Sequence, residues 1–122
     1  MKKILFIEDE SALQKTLGDI LTQEGYEVIP ATDGEIGLNL AKTKKPDLIL
    51  LDLILPKMNG FDVLKSVKED NEIKNTPIIV LTNLEGSEDI EKAISLGATT
   101  YFVKVNYSLE EIVAKIKGAL GK

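Results

Sequence analysis

The segment Asp47-Leu48-Ile49-Leu50-Leu51-Asp52 sets four apolar residues between two carboxylates. Such a run belongs to an interior strand of a sheet covered on both faces, because a strand with one wet face alternates apolar and polar side chains. Asp52 is then the carboxyl end of that strand, and in open parallel sheets a ligand crevice forms at that edge. A second apolar strand, Ile4 to Ile7, ends the same way in Glu8, Asp9 and Glu10, so three or four carboxylates converge on one edge.

Outward from these two strands, strand and helix patterns alternate along the chain, which predicts a parallel sheet wound with helices. The first strand spans about Lys3 to Ile7, and a helix follows from an N-cap at Ser11 through Leu13, Leu17, Ile20 and Leu21 to a stop at Gly25. The second strand is Tyr26 to about Pro30; Asp33-Gly34 makes a turn and cap, and a helix carrying Ile36, Leu40 and Ala41 runs to about Lys44 before Pro46. After the third strand, Leu48 to Leu51, the loop Leu55-Pro56-Lys57-Met58-Asn59-Gly60 leads into a helix from Phe61 to about Asp70. The fourth strand, Ile78 to Leu81, ends at Thr82, and Ser87 caps a helix with Ile90, Ala93 and Ile94 that stops at Gly97. The fifth strand, Thr100 to Val103, ends at Lys104. Ser108 and Glu111 form a capping box for a last helix whose stripe is Leu109, Ile112, Val113, Ile116 and Leu120.

The 122 residues fit one domain, residues 1–122, with no appended output domain. The longest apolar runs are strand-sized and far short of a membrane span, and no signal peptide is expected. Without cysteine there is no disulfide framework, and the expected compartment is cytoplasmic. Histidine and arginine are absent too, so all 15 basic residues are lysines. This removes Ser-His-Asp and Cys-His catalysis and typical zinc sites. It also removes the arginine that reads guanine, and the net charge of -5 opposes a phosphate backbone, so direct nucleic-acid binding is not expected.

Parallel strand order brings Glu8, Asp9, Asp52, Thr82 and Lys104 to one edge. Clustered carboxylates repel one another, and the common remedy is a hard divalent cation held by oxygen ligands. With neither imidazole nor thiolate, magnesium or manganese is the reasonable ion. A lysine ammonium and a threonine hydroxyl beside it would neutralise and hydrogen-bond the oxygens of a transferring phosphoryl group. Asp52 would be the nucleophile, since a carboxylate can form an acyl phosphate. Singly, each residue has a plainer use: Asp52 as a turn residue, Thr82 in the strand, Lys104 as a solvated lysine, Tyr101 as a boundary aromatic, and Glu10 as an acidic cap on the first helix.

Taken in order, Glu8-Asp9, Asp52, the loop Leu55 to Gly60, Thr82, Gly97-Ala98, and Tyr101 three residues before Lys104 give the whole chain a pattern that resembles the receiver domain of bacterial two-component response regulators, similar to the chemotaxis response regulator. The resemblance implies a flavodoxin-like α/β fold: a doubly wound five-stranded parallel sheet of order 2-1-3-4-5 with five helices. It implies a phosphoacceptor switch rather than a turnover enzyme, with Asp52 accepting phosphate from a phosphohistidine in a phosphorelay. Asp9 would ligate magnesium, or manganese, together with Asp52; Glu8 would assist through water, and Ile54 would add its backbone carbonyl. Thr82 and Lys104 would hold phosphoryl oxygens, and Tyr101 would be the aromatic switch that turns inward when Thr82 moves. The donor would be a histidine kinase or a histidine phosphotransfer protein. The signal would pass to a downstream protein, or to a second copy, through the face of helix four, strand five and helix five.

The chain also departs from that family. Lys104-Val105-Asn106 lacks the usual proline after the lysine, where the family has a cis bond; a cis bond before valine costs about 3 kcal/mol, so the loop is either trans and rearranged or cis and strained. Glu8 replaces the commoner aspartate, and Asn83 stands where the family favours a small residue. Ile54 and Leu84 are apolar at the two variable positions bordering the phosphoryl group, neither can position an attacking water, and slow self-dephosphorylation is expected. A pseudo-receiver that never takes phosphate is the alternative, supported by Lys104-Val105 and opposed by intact Asp9, Asp52, Thr82 and Lys104. A haloacid-dehalogenase-type phosphatase needs an acid at position 54, and a flavodoxin needs Ser, Thr and Gly where Glu8, Asp9 and Glu10 stand.

Overall fold

The computed structural model describes residues 1–121; Lys122, the last residue of the expected domain, lies outside them. Five strands and five helices alternate: β1 (Lys3–Ile7), α1 (Ser11–Gln23), β2 (Glu27–Ala31), α2 (Gly34–Lys44), β3 (Leu48–Leu51), α3 (Gly60–Glu69), β4 (Ile78–Thr82), α4 (Ser87–Ser95), β5 (Thr100–Val103) and α5 (Leu109–Ala119). The strands form one parallel sheet in the order β2-β1-β3-β4-β5, as the resemblance implies.

Strand periodicity divides the core in two. Leu5, Ile7, Ile49, Leu51, Ile78 and Val80 face one way and pack with Ala41 of α2, Val63, Leu64 and Val67 of α3 and Ala93 of α4. Ile4, Phe6, Leu48, Leu50, Ile79 and Leu81 face the other way, against Leu17 and Leu21 of α1 and Ile112, Val113 and Ile116 of α5. Covering both faces leaves all four residues of β3 fully buried, which explains its unbroken apolar run. Each such side chain contributes about 1.5–3 kcal/mol by leaving water.

The local departures from the sequence reading have physical causes. Ser11 and Ser87 are the first residues of their helices, not the caps; Glu10 and Gly86 hold the N-cap positions, and neither makes a side-chain capping bond. Asp33, Asn59 and Ser108 do cap, and Ser108 with Glu111 completes the capping box. Tyr26 is buried just before β2, which begins at Glu27. Ile36 and Ile94 are exposed rather than packed. Around Ile36 the reason is close approach: a Cβ on Gly37 would lie 2.6 Å from Ile7 Cδ1, so α2 seats its small residues on the sheet and turns its larger one outward.

Candidate functional site

The carboxyl ends of β1, β3, β4 and β5 gather Glu8, Asp9, Asp52, Thr82 and Lys104. At the end of β1, Glu8 continues the ladder by donating its N–H to the Ala31 carbonyl at 2.9 Å, and its side chain is fully buried. Gln14 of α1 reaches the same point, its Nε2 lying 3.1 Å from the carbonyls of Phe6 and Glu8 and 3.3 Å from that of Ala31. The turn carrying Glu8, Asp9 and Glu10 is therefore tied to β1 and β2 from within. Glu8 Oε2 accepts from the Glu10 N–H at 3.0 Å.

Asp52 is placed just as firmly. Its N–H donates to the Ile7 carbonyl at 3.0 Å, its side chain is 5% exposed, and Oδ1 accepts from the Ile54 N–H at 3.2 Å. The following loop is pulled beneath it where the Gly60 N–H meets the Leu53 carbonyl at 2.9 Å. Only glycine permits this approach, because a Cβ there would lie 2.3 Å from the Asp52 carbonyl oxygen and 2.4 Å from Leu53 Cα.

Glu8, Asp9 and Asp52 each offer a carboxylate oxygen, and these oxygens lie within 4.8 Å of one another. Glu8 and Asp52 are buried and Asp9 is exposed. Lys104 enters from the end of β5, its ammonium 2.9 Å from Glu8 Oε1, 3.1 Å from Asp52 Oδ2 and 3.4 Å from Glu10 Oε1. Burial pulls the Lys104 ammonium down, but Glu8 and Asp52 outweigh it and hold the group above the usual lysine range. Burial pushes the Glu8 carboxyl above its ordinary value, against the opposing pull of Lys104 and the Glu10 N–H and with a further push from Asp52. The Glu8–Lys104 pair is close but lacks hydrogen-bond alignment, so Glu8 Oε1 is the buried side-chain atom left without a hydrogen-bond partner among the described residues. An orphaned buried carboxylate oxygen beside two further carboxylates, all hard donors, fits a hard divalent cation.

The Lys104–Val105 peptide is trans, as no cis bond occurs among the described residues, and the chain coils into a short 3-10 turn at Lys104–Asn106. Without its proline this loop still delivers Lys104 to Asp52. Thr82 is fully buried at the end of β4, and its Oγ1 accepts from the Leu84 N–H at a long 3.5 Å. Tyr101 is half-buried and donates its hydroxyl to the Leu84 carbonyl at 2.7 Å, so the backbone of one residue touches both. Burial, with help from the negative charges of Asp89 and Asp52, pushes the Tyr101 phenol up to about 12. Ile54 contributes an N–H to Asp52 while its side chain is 54% exposed.

Three contributors escape a reading of the sequence. Gln14 and the Leu84 backbone act through tertiary approach, and nothing local marks them. Glu10 carried a signal, since it adjoins Asp9, but it reads as a helix cap; the structure gives it no capping bond and turns it to Lys104.

Comparison with known proteins agrees with this arrangement. The alkaline phosphatase synthesis transcriptional regulatory protein PhoP of Bacillus subtilis is 40% identical over 119 residues, which is 98% of this chain and 48% of that protein. The chain spans about half the length of the curated relatives it matches. Among solved structures, a CheY-like response regulator receiver domain protein of Methanospirillum hungatei superposes with a TM-score of 0.92 at 28% identity, covering 99% of this chain and 94% of that one. The Mn(2+)-bound form of response regulator Rcp1 superposes with a TM-score of 0.83 at 28% identity over 97% of this chain and 91% of that one. The acidic triad of Glu8, Asp9 and Asp52 is thus of a kind that receiver domains have, and one such relative was solved with manganese. The family described as response regulator receiver domain matches residues 4–117, and the chain belongs to it: a phosphoacceptor module of two-component phosphorelays rather than a turnover enzyme.

Proposed function

We propose that Asp52 is the phosphoacceptor and takes its phosphoryl group from the phosphohistidine of a histidine kinase or a histidine phosphotransfer protein. The observation that carries this reading is the setting of Asp52: nearly buried, 3.1 Å from the Lys104 ammonium, and within 4.8 Å of two other carboxylates. A lone pair on the Asp52 carboxylate attacks phosphorus, a P–O bond forms, and the P–N bond to the imidazole breaks. That electron pair stays on the ring nitrogen, which takes a proton from solvent. Glu8, Asp9 and Asp52, with the Ile54 carbonyl, would hold magnesium, Glu8 acting through water; manganese would serve in the same place. When bound, the ion supplies positive charge against the carboxylates and the phosphoryl oxygens.

Lys104 and Thr82 hold phosphoryl oxygens in this scheme, and the fully buried Thr82 moves to do so. Its contact with the Leu84 N–H, and that of Tyr101 with the Leu84 carbonyl, then couple phosphorylation to the aromatic side chain. The face of α4, β5 and α5, which carries Tyr101, transmits the change to a downstream protein or a second copy. No helix among the described residues is long and apolar enough to cross a membrane, and a cytoplasmic setting suits a domain fed by kinases.

Intact mass after incubation with a small acyl phosphate and magnesium tests the acceptor: one phosphoryl adduct is expected on the wild type and none on Asp52→Asn. An unmodified wild type would favour a pseudo-receiver. The exposed Ile54 and the half-buried Leu84 offer no polar group to an attacking water, so self-dephosphorylation is slow. Leu84→Glu should lose phosphate faster than the wild type, and equal rates would remove this explanation.

A further inference from the structure

We propose that Glu10 is a positioning residue: it tethers the Lys104 ammonium in a resting place from which an arriving phosphoryl group must win it. This rests on the phosphoacceptor reading above and adds what limits the rate of that transfer.

A lysine ammonium has three N–H donors and no more. In the resting domain three carboxylates surround Lys104 Nζ: Glu8 Oε1 at 2.9 Å, Asp52 Oδ2 at 3.1 Å and Glu10 Oε1 at 3.4 Å. Two of its donors are engaged, by Asp52 Oδ2 and Glu10 Oε1, while Glu8 Oε1 is an ion-pair partner without hydrogen-bond alignment; a phosphoryl group on Asp52 brings new anionic oxygens to the same ammonium, so Nζ must turn toward them and at least one of these contacts gives way. Glu8 and Asp52 have side chains 0% and 5% exposed, so water cannot take the place of the ammonium beside either. Glu10 is 58% exposed, and water replaces its partner at little cost. Its contact is also the longest. Glu10 is thus the partner that yields, and until it does it draws Lys104 toward the start of α1.

The backbone explains how Glu10 comes to face the lysine. It occupies the N-cap of α1 with φ −78° and ψ 106°, and its N–H is taken by Glu8 Oε2. With that N–H fixed and no capping bond to occupy it, the side chain is free for Lys104.

Glu10→Gln keeps the shape and removes the charge; Glu10→Asp keeps the charge and withdraws it by one methylene. Rates of uptake from a small acyl phosphate with magnesium, read by intact mass, are compared with the resting Lys104 Nζ resonance in 15N spectra. Both variants should take phosphate about two- to five-fold faster than the wild type, the range an exposed ion pair corresponds to, and both should shift the Nζ resonance. Acceleration by Glu10→Gln alone would mean repulsion at a distance and overturn the tether, as would rates equal to the wild type. Should the wild type take no phosphate, the acceptor reading fails by itself, and the resting resonance decides the tether: a shift in both variants supports it, and an unmoved signal overturns it.

Discussion

The two sides of Asp52 are built differently. On the carboxylate side, Glu8 and Asp52 extend strand ladders, with backbone bonds from Glu8 to Ala31 and from Asp52 to Ile7, and Gln14 and Gly60 brace them from neighbouring helices. On the lysine side, Lys104 reaches in on a long side chain from a short 3-10 turn, followed at once by Val105, which is 75% exposed. Thr82 and Tyr101 are linked there through the backbone of Leu84. The difference teaches a division of labour. The buried carboxylates Glu8 and Asp52 are pinned by backbone bonds at the strand ends, whereas Lys104 answers them from a long side chain beyond β5, and Thr82 and Tyr101, strand residues themselves, meet the loop after β4 only through their hydroxyls.

The largest test of this contrast is Lys104→Ala. Removing the cation that stands against two buried carboxylates should lower stability by about 3 kcal/mol in urea unfolding with a chelator present. Magnesium should recover most of that loss, because either cation can neutralise the fixed side. An equal loss with and without magnesium would mean that Lys104 supports the fold by packing, and the contrast would break. Gly60→Ala attacks the other side, pressing a methyl against the Asp52 carbonyl; a loss of about 1–3 kcal/mol is expected by the same unfolding assay, and magnesium should not repair it. The smallest effect belongs to Tyr101→Phe, which removes one hydrogen bond and should cost about 1 kcal/mol near neutral pH. Its pH dependence sharpens the point. The fold favours the neutral phenol, so the contribution of Tyr101 is complete below pH 10 and declines as pH rises toward about 12. The gap between wild type and Tyr101→Phe should narrow over that interval in denaturant titrations, and a constant gap would show that the hydroxyl bond is immaterial.

What was legible in the sequence follows the same line. Buried strands announce themselves because residues covered on both faces must all be apolar, so Leu48 to Leu51 and Ile78 to Leu81 fixed the sheet, and parallel order then brought their last residues together. The Ser108-Glu111 box could be read because both partners lie within one turn. Ser11 and Ser87 misled because a serine at a helix start serves as cap or first residue according to backbone angles that its neighbours set. Ile36 looked like a core residue, yet the demand of Gly37 for close contact with Ile7 rotates that helix and exposes it. Glu10, Gln14 and the Leu84 backbone depend on distances between elements far apart in sequence, which no local pattern records.

One detail at the margin of the sheet bears on how the protein behaves in a crowded solution. In β2 the backbone groups of Glu27 and Ala31 bond inward to β1, so by alternation Pro30 faces away from the sheet. Its ring leaves no N–H where a sixth strand would dock. The outermost strand on that flank is therefore a poor template for the strand of a second copy, which guards one of the two edges of the sheet against pairing with a neighbour.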